Sequence, residues 1–364
     1  MTDAQTFAPD WVSPPGDTIE DLLDERGWTQ AQLAERTGFT RKHVNDLVKA
    51  RAAITADTAS RLFTVLGGPV SFWLTREAQY RAVVQRRQTL KQLSAQASWL
   101  QGIPVAWMAT QGWIRREAHR GKQVEECLRF FGVASVDRWR EACARPLAAF
   151  RASTATGRKL GAVAAWLRQA ERQATALRTS PYDRTALREL LPALRALTNE
   201  PEPTKFVPRL QELCGAVGVA VVFVPAPPGC PVFGATRWLT PEKAMLALSL
   251  RYKTNDQLWF SFFHECCHLL NHAKKMVFIE GADGLDRTLE DEADRFAADL
   301  LIPPANVQAL SGIRSAAAVR DLAAAIGVAP GILVGRMQKE GWVPYSHLNG
   351  LKCRCDWAAG DAEQ

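Results

Sequence analysis

The amino-acid sequence predicts an α+β protein that is predominantly α-helical. Up to Asn199, apolar side chains recur at helical spacing, with glycines and N-cap residues between the runs. After the segment Asn199–Lys205, apolar runs rich in β-branched residues indicate strands. From Asp256 to His272 the chain has neither glycine nor proline, which indicates a long helix behind a small sheet.

The composition is that of an ordinary globular protein. Apolar residues make up 47% of the 364 residues, and charged residues make up 23%. The longest apolar run is too short to span a bilayer, and the N-terminus lacks the basic start and apolar core of a signal peptide. We therefore expect a cytoplasmic protein without a membrane partner. Its eight cysteines are scattered along the chain, which predicts reduced thiols.

The net charge of +7 is concentrated in one segment. Between Arg76 and Lys122 there are nine Lys or Arg residues and two acids, and nine minus two accounts for the whole excess. A basic concentration next to a DNA-binding module attracts phosphate, whereas a solvated helical face has the same composition. Charge alone leaves both interpretations open.

Four regions are predicted along the chain. They are a domain of short helices at 13–85, a helical middle region at 86–204, a domain with a small sheet and a long helix at 205–345, and a C-terminal tail at 346–364. The segment Asn199–Lys205, with two prolines and mixed charges, is the strongest boundary signal. Tryptophans at helical spacing in the middle region are typical of a packed core, and an aromatic ligand pocket is the alternative.

The first region contains two short helices joined by a glycine turn, which is the helix-turn-helix pattern. Thr29 and Gln32 form a capping box, Gly38 marks the turn, and Thr40 caps the second helix. The second helix of such a pair enters the major groove, where Arg can bind guanine and Asn can bind adenine, and helix N-termini hold phosphate. The residues expected to contact DNA are Thr29, Gln30, Thr40, Arg41, Lys42, Asn45 and Lys49.

The stretch WTQAQLAERTGFTRKHVNDLVKARAAITADTASRLFTVLGGPVSFWL resembles the phage-repressor (XRE) type of helix-turn-helix, in the variety found in HigA-like antitoxins. The resemblance covers about residues 13–82. It implies a double-stranded DNA operator as partner, and operator symmetry leads us to expect a homodimer. A helical bundle used only for protein contacts is the alternative, but it leaves the outward basic residues unexplained.

The sequence FFHECCHLLNH is the candidate metal site. His264 and His268 are four residues apart, so they project from one helical face and can converge on one ion. Glu265 is placed to contact a metal-bound water as general base. His272 lies about 12 Å along the helix axis from His264, too far to share the ion, which indicates a supporting or surface role.

Cys266 and Cys267 occupy the two free positions of this motif. We expect both to be small packing residues. Cys267 lies near the edge of the metal face, and an oxidation-sensitive thiol beside the metal is the alternative for it.

A catalytic zinc site also needs a third protein ligand and an open position for water. The downstream helix TLEDEADRFAADLLIPP offers carboxylates at Glu290, Asp291, Glu292, Asp294 and Asp299. Spacing alone does not choose among them. Without the histidine motif, an acidic first turn that complements the helix dipole would be the preferred explanation.

HECCHLLNH followed by EDEADRFAADLLIP is similar to the ImmA/IrrE family of zinc metallopeptidases, in which HExxH precedes a Glu-Ala-Asn/Asp-x-Phe-Ala helix that ends in Leu-x-Pro. The resemblance covers about residues 206–310. It implies a zincin-like domain with Zn²⁺ as cofactor and, as third ligand, the Glu before Ala, which is Glu292 here. The Cys-Cys pair and Asp294 depart from the family pattern, but neither removes a ligand.

Together the two resemblances imply a DNA-binding transcriptional regulator with a zinc-dependent endopeptidase domain. Its substrate would be a protein, such as a repressor or antitoxin, with Glu265 as general base. The first alternative is a HigA-like antitoxin or repressor with a cognate toxin, whose zinc domain senses a signal or binds a partner without cleaving it. The second is a metal-responsive DNA-binding switch. The intact Glu265 favours the enzyme.

Overall fold

The computed structural model confirms the α+β, predominantly α-helical class. The residues that it describes are 12–144, 157–249, 254–272, 278–279 and 287–355. The chain divides into two compact units, Met1–Ala95 and Gln96–Gln364. Each unit encloses a hydrophobic core of its own.

The first unit is helical throughout its described part. Its helices are α1 (Pro15–Arg26), α2 (Gln30–Thr37), α3 (Arg41–Val48), α4 (Ala56–Leu66) and α5 (Val70–Ala95). Their apolar faces meet in a core whose fully buried side chains include Ile19, Leu33, Leu62 and Trp73. The removal of these side chains from water is the main source of the unit's stability.

The helix caps predicted for the helix-turn-helix are confirmed. The Thr29 hydroxyl accepts a hydrogen bond from the Gln32 amide at 3.3 Å, and the Gln32 side chain accepts one from the Thr29 amide at 2.8 Å. Gly38 has a φ of 72°, a left-handed conformation that ends α2. The Thr40 hydroxyl caps α3 by accepting from the His43 amide at 3.1 Å.

Helix α5 corrects the domain boundary that the sequence predicted after residue 85, since α5 continues to Ala95 without a break. Its first half is held to the rest of the unit by an arginine of the basic segment. Arg81 donates to the carbonyl of Ala50 at 3.1 Å and pairs with Glu77 at 2.7 Å. Part of the basic charge therefore serves the folding of the first unit.

The three strands predicted after the boundary signal are confirmed, and the structure adds a two-residue strand. The strands are β1 (Val219–Phe223), β2 (Gly234–Thr240), β3 (Lys243–Leu248) and β4 (Phe278–Ile279). Their order in the sheet is β1-β3-β2-β4, with β1 parallel to β3 and with β2 antiparallel to both β3 and β4. Burial of β1 and β3 along almost their whole length explains their continuous apolar runs.

The predicted middle region packs on this sheet, which corrects the boundary placed at residue 204. The first four α-helices that begin in this region are α6 (Val105–Thr110), α7 (Arg120–Phe131), α8 (Val136–Trp139) and α9 (Gly157–Ala176). The indole N–H of Trp166 on α9 donates to the carbonyl of Val224 at 2.8 Å, inside the core. Helix α9 also contacts β1 and β3, so the middle helices and the sheet form one unit.

The remaining helices of the second unit surround the sheet. They are α10 (Arg184–Ala196), α11 (Pro203–Ala216), α12 (Asn255–Asn271), α13 (Arg287–Leu301), α14 (Pro304–Ser311), α15 (Ala316–Ile326) and α16 (Pro330–Lys339). Helix α12 is the predicted HExxH helix, and it packs against β2, β3, α13 and α16. Every residue from Ser261 to Leu270 is buried.

Helices α15 and α16 contribute to the hydrophobic core of the second unit. Val319, Ile332, Leu333 and Met337 are all buried in the core of the second unit. Among the described helices, none is by itself long and apolar enough to cross a membrane, and α15 with α16 passes that test only as a pair bent by 111°.

The chain after residue 345 is attached to the start of α12, unlike the separate tail predicted at 346–364. The Asn255 amide donates to the carbonyl of Cys353 at 2.9 Å, and the Cys353 amide donates to the Asn255 side chain at 3.1 Å. Lys352 pairs with Asp256 at 2.6 Å, and these side chains are only 13% and 4% exposed. Residues 356–364 of the predicted tail lie outside the described residues.

Lys352→Met should destabilise the second unit by about 3–5 kcal/mol, because it leaves the Asp256 carboxylate buried without its partner. Urea denaturation followed by circular dichroism measures this change in the free energy of unfolding. Lys352→Met combined with Asp256→Asn should recover most of the loss. Lys205→Met, which breaks the exposed Lys205–Glu202 pair, is the matched control and should leave the midpoint unchanged. Equal effects of the two lysine variants would contradict a buried ion pair.

Candidate metal centre

Helices α12 and α13 bring two imidazoles and a carboxylate together. His264 and His268, one turn apart on α12, have their Nε2 atoms 3.0 Å apart. The Glu290 carboxylate on α13 lies 3.3 Å from Nε2 of His264 and 3.4 Å from Nε2 of His268. The histidine side chains are buried, whereas that of Glu290 is 24% exposed, so the cluster reaches solvent on its carboxylate side.

The three donor atoms suit a tetrahedral zinc ion. Zinc binds imidazole nitrogen and carboxylate oxygen at about 2.0–2.2 Å, and tetrahedral angles then place the donors about 3.3 Å apart. The two Nε2 atoms are 3.0 Å apart, and the Glu290 carboxylate approaches His264 with Oε2 at 3.3 Å and His268 with Oε1 at 3.4 Å, all close to this value. Two histidines and one glutamate are also a donor set of catalytic zinc sites, which leave a fourth position open.

The second ring nitrogen of each histidine has a neighbour that orients the ring. Nδ1 of His264 lies 2.9 Å from Oδ1 of Asp294, and Nδ1 of His268 lies 2.7 Å from Nδ1 of His272. A histidine that binds a metal through Nε2 carries its proton on Nδ1 and donates it to such an acceptor. Asp294 therefore orients His264, and His272 supports His268, which is the supporting role that the sequence indicated.

Burial and hydrogen bonding set the charges that metal binding requires. Burial, together with the rings of His264 and His272, lowers the pKa of His268 to about 2, so its imidazole is neutral near pH 7. Burial alone would raise the pKa of Asp294. The His264 hydrogen bond and the ammonium group of Lys339 outweigh that effect and lower the pKa, so Asp294 remains a carboxylate.

The structure places Glu290 beside His264 and His268, and not Glu292, the third ligand that the family resemblance implied. Residues two apart on a helix differ by about 200° in direction, so Glu290 and Glu292 cannot face the same neighbour. Glu292 is 48% exposed and lies near His272, 3.6 Å from its Nε2. Its carboxylate also accepts a hydrogen bond from Asn271 at 2.9 Å.

The sequence did contain a signal for Glu290. Glu290 and Asp294 are four residues apart, as are His264 and His268, so each helix presents two functional side chains on consecutive turns of one face. The carboxylate pair then meets the histidine pair when the helices pack. Asp294 was considered only as a candidate ligand and not as the residue that orients His264.

The predicted general base, Glu265, lies on α12 and is fully buried. Its side chain lies against Gly234, the first residue of β2. A Cβ atom on Gly234 would lie 2.9 Å from Oε1 and from Cγ of Glu265. Any side chain at position 234 would therefore displace the carboxylate. The first residue of β2 thus helps to position Glu265, and the sequence alone did not single it out.

A cavity of about 580 Å³ opens beside the cluster. Its walls include His264, Glu290 and Asp294, and the basic residues Arg336 and Lys339 of α16 line it as well. Small-molecule and peptide sites commonly enclose roughly 300–1,000 Å³. The cavity is therefore large enough for a few residues of a substrate chain next to the candidate ligands.

The packing role predicted for Cys266 is confirmed, because this residue is fully buried and burial raises its pKa well above its usual value. For Cys267, burial and then the Glu292 carboxylate raise the pKa to about 12, so its sulfur is a neutral thiol near pH 7. Such a thiol reacts slowly with oxidants, which argues against the alternative of an oxidation-sensitive residue. The cysteines whose side chains the structure describes are free thiols, as predicted.

On the first unit, α3 presents its predicted DNA-contacting side chains on the solvent side. Arg41, Lys42 and Lys49 are exposed and Asn45 is half-buried, while the opposite face is buried in the core. Thr29 and Thr40 cap α2 and α3, and Gln30 is the first residue of α2. These positions lie at helix N-termini, where backbone N–H groups can bind a phosphate.

Comparison with known protein families identifies one domain in each unit. Residues 19–73 match the helix-turn-helix family, and residues 234–337 match the IrrE N-terminal-like domain of the M78 peptidases. The second match includes β2, β3 and both helices of the metal cluster. The chain therefore combines a DNA-binding helix-turn-helix domain with a peptidase-like domain.

Individual relatives match short parts of the chain. Virulence-associated protein I from Dichelobacter nodosus is 33% identical over 67 residues, which are 18% of this chain and 62% of that protein. The solved structure of an addiction module antidote protein of the HigA family from Coxiella burnetii is 27% identical and covers 22% of this chain and 89% of its own, with a TM-score of 0.21. The chain thus spans about 62% of the length of the curated relative.

Metal analysis should find about one tightly bound zinc ion per chain, and His264→Ala should lose it. Glu290→Gln should weaken zinc binding at least about 100-fold, and Asp294→Asn should weaken it about 10–100-fold by releasing the ring of His264. Competition with a chromophoric chelator measures these affinities. Glu292→Gln changes the same charge on the same helix and should retain the ion. Loss of zinc from Glu292→Gln, together with retention of zinc in Glu290→Gln, would instead support Glu292 as the third ligand.

Proposed function

We propose that this chain is a DNA-binding transcriptional regulator whose second unit is a zinc-dependent endopeptidase that cleaves a protein substrate, such as a repressor or antitoxin. The observation that carries the proposal is the convergence of His264, His268 and Glu290 beside a cavity, with Glu265 next to the first of them. The match to the M78 peptidases supports the same reaction class.

His264, His268 and Glu290 would hold the ion, and Asp294 and His272 would keep the two imidazoles in orientation. A bound zinc ion supplies a Lewis acid that polarises a peptide carbonyl and makes water more acidic. The carboxylate of Glu265 accepts a proton from the attacking water and delivers it to the leaving amine nitrogen. Gly234 leaves the space in which that carboxylate lies.

Glu265 also distinguishes this function from the alternative of a regulator that only senses a metal or binds a partner. A structural or sensing metal site needs ligands but has no use for a base. Glu265 is fully buried next to His264 and is not a member of the ligand cluster. Its retention beside the ligands therefore favours hydrolysis.

The first unit would bring the peptidase to an operator. The solvent side of α3 would enter the major groove, with Arg41 and Asn45 towards the bases and with the ends of α2 and α3 on phosphates. A homodimer would present two such helices to a two-fold symmetric operator. Cleavage of a protein bound at or near that operator would then change transcription.

Glu265→Gln should keep the zinc ion but abolish cleavage, because an amide cannot accept the proton of the attacking water. Incubation of the protein with the products of neighbouring genes, followed by intact-mass analysis, identifies the substrate and measures its cleavage. Glu292→Gln is the matched control and should cleave at the wild-type rate. Continued cleavage by Glu265→Gln would exclude Glu265 as base, and no cleavage by the zinc-loaded wild type would favour the sensing alternative.

Arg41→Ala combined with Lys42→Ala should weaken operator binding at least about tenfold, because each side chain contributes a base or phosphate contact. Mobility shifts at fixed salt concentration measure the effect. Arg87→Ala with Lys91→Ala removes the same charge from the distal half of α5, where both residues are exposed, and should have the smaller effect. Equal losses in the two double variants would indicate nonspecific attraction by net charge instead of a recognition helix.

A further inference from the structure

We propose that Cys267, His272 and Glu292 form a second site for a zinc-class divalent cation, one helical turn beyond the first. One ligand atom from each of these residues lies within 4.8 Å of the other two. No residue of this cluster belongs to the first ligand set. The site therefore lies beyond the proposed peptidase function.

The donor set and its geometry suit zinc. Thiolate, imidazole and carboxylate are the three protein ligand types of zinc, with bond lengths of about 2.0–2.3 Å. Nε2 of His272 and Oε2 of Glu292 lie 3.6 Å apart, close to the spacing of about 3.3 Å in a tetrahedral site. Cys267 is buried and Glu292 is half-exposed, so a cation can enter from the Glu292 side and the mobile end of that side chain can close on it.

A polar group already occupies the middle of the cluster. The side-chain amide of Asn271 donates to Glu292 at 2.9 Å and lies 3.6 Å from the sulfur of Cys267. This positive end of the amide dipole lies between a sulfur and a carboxylate, where a cation would lie. Asn271 is exposed, so it can swing into solvent when a cation binds. As the metal–sulfur bond forms, the thiol proton passes to solvent.

Cobalt titration of the full-length protein tests the second site without an activity assay. Co²⁺ bound by a thiolate has a sulfur-to-metal charge-transfer band in the near ultraviolet, whereas Co²⁺ bound by histidine and carboxylate does not. We expect the first equivalent of Co²⁺ to bind without this band and later equivalents to produce it. Cys267→Ser should lose the band and keep the first equivalent, and Cys266→Ser, the adjacent control, should keep both.

In His264→Ala, which empties the first site, the thiolate band should still appear. No band in wild type at any Co²⁺ concentration, or a full band in Cys267→Ser, would overturn the second site. Each of these results is independent of whether the protein cleaves a substrate.

Discussion

The packing of α12 against α13 is the contact on which the candidate metal centre depends. Buried polar side chains cost free energy unless they have partners, and α12 carries His264, Glu265 and His268 into the core. Helix α13 provides the partners for the two histidines, because Glu290 and Asp294 lie on consecutive turns of the face that meets α12. The same contact that buries the apolar residues of both helices therefore assembles the ligands and orients their rings.

Local patterns were predictable from the sequence because local physics determines them. The caps at Thr29 and Thr40 involve groups three residues apart, and the HExxH spacing alone puts two imidazoles on one face. The third ligand was expected at Glu292 because the family resemblance implied the Glu before Ala. The choice between Glu290 and Glu292 depends on how α13 is rotated about its axis when it packs, and a single sequence contains no direct measure of that rotation.

The domain boundaries were missed for a related reason. Prolines and mixed charges at Asn199–Lys205 indicate where regular structure is interrupted, but they do not indicate which surfaces pack together. The hydrogen bond from Trp166 to Val224 joins residues 58 positions apart, across that interruption. Nothing in the helical periodicity of α9 specifies that its apolar face covers a sheet instead of another helix.

The attachment of Lys352 and Cys353 to the first turn of α12 has a consequence for the order of events during translation. The first unit is complete at residue 95 and can fold while the rest of the chain is still being made. The contact between Asn255 and Cys353 spans 98 residues, so the start of the metal-binding helix gains its last partners only when the end of the second unit leaves the ribosome. Each new chain therefore completes its helix-turn-helix before its candidate metal centre is fully braced.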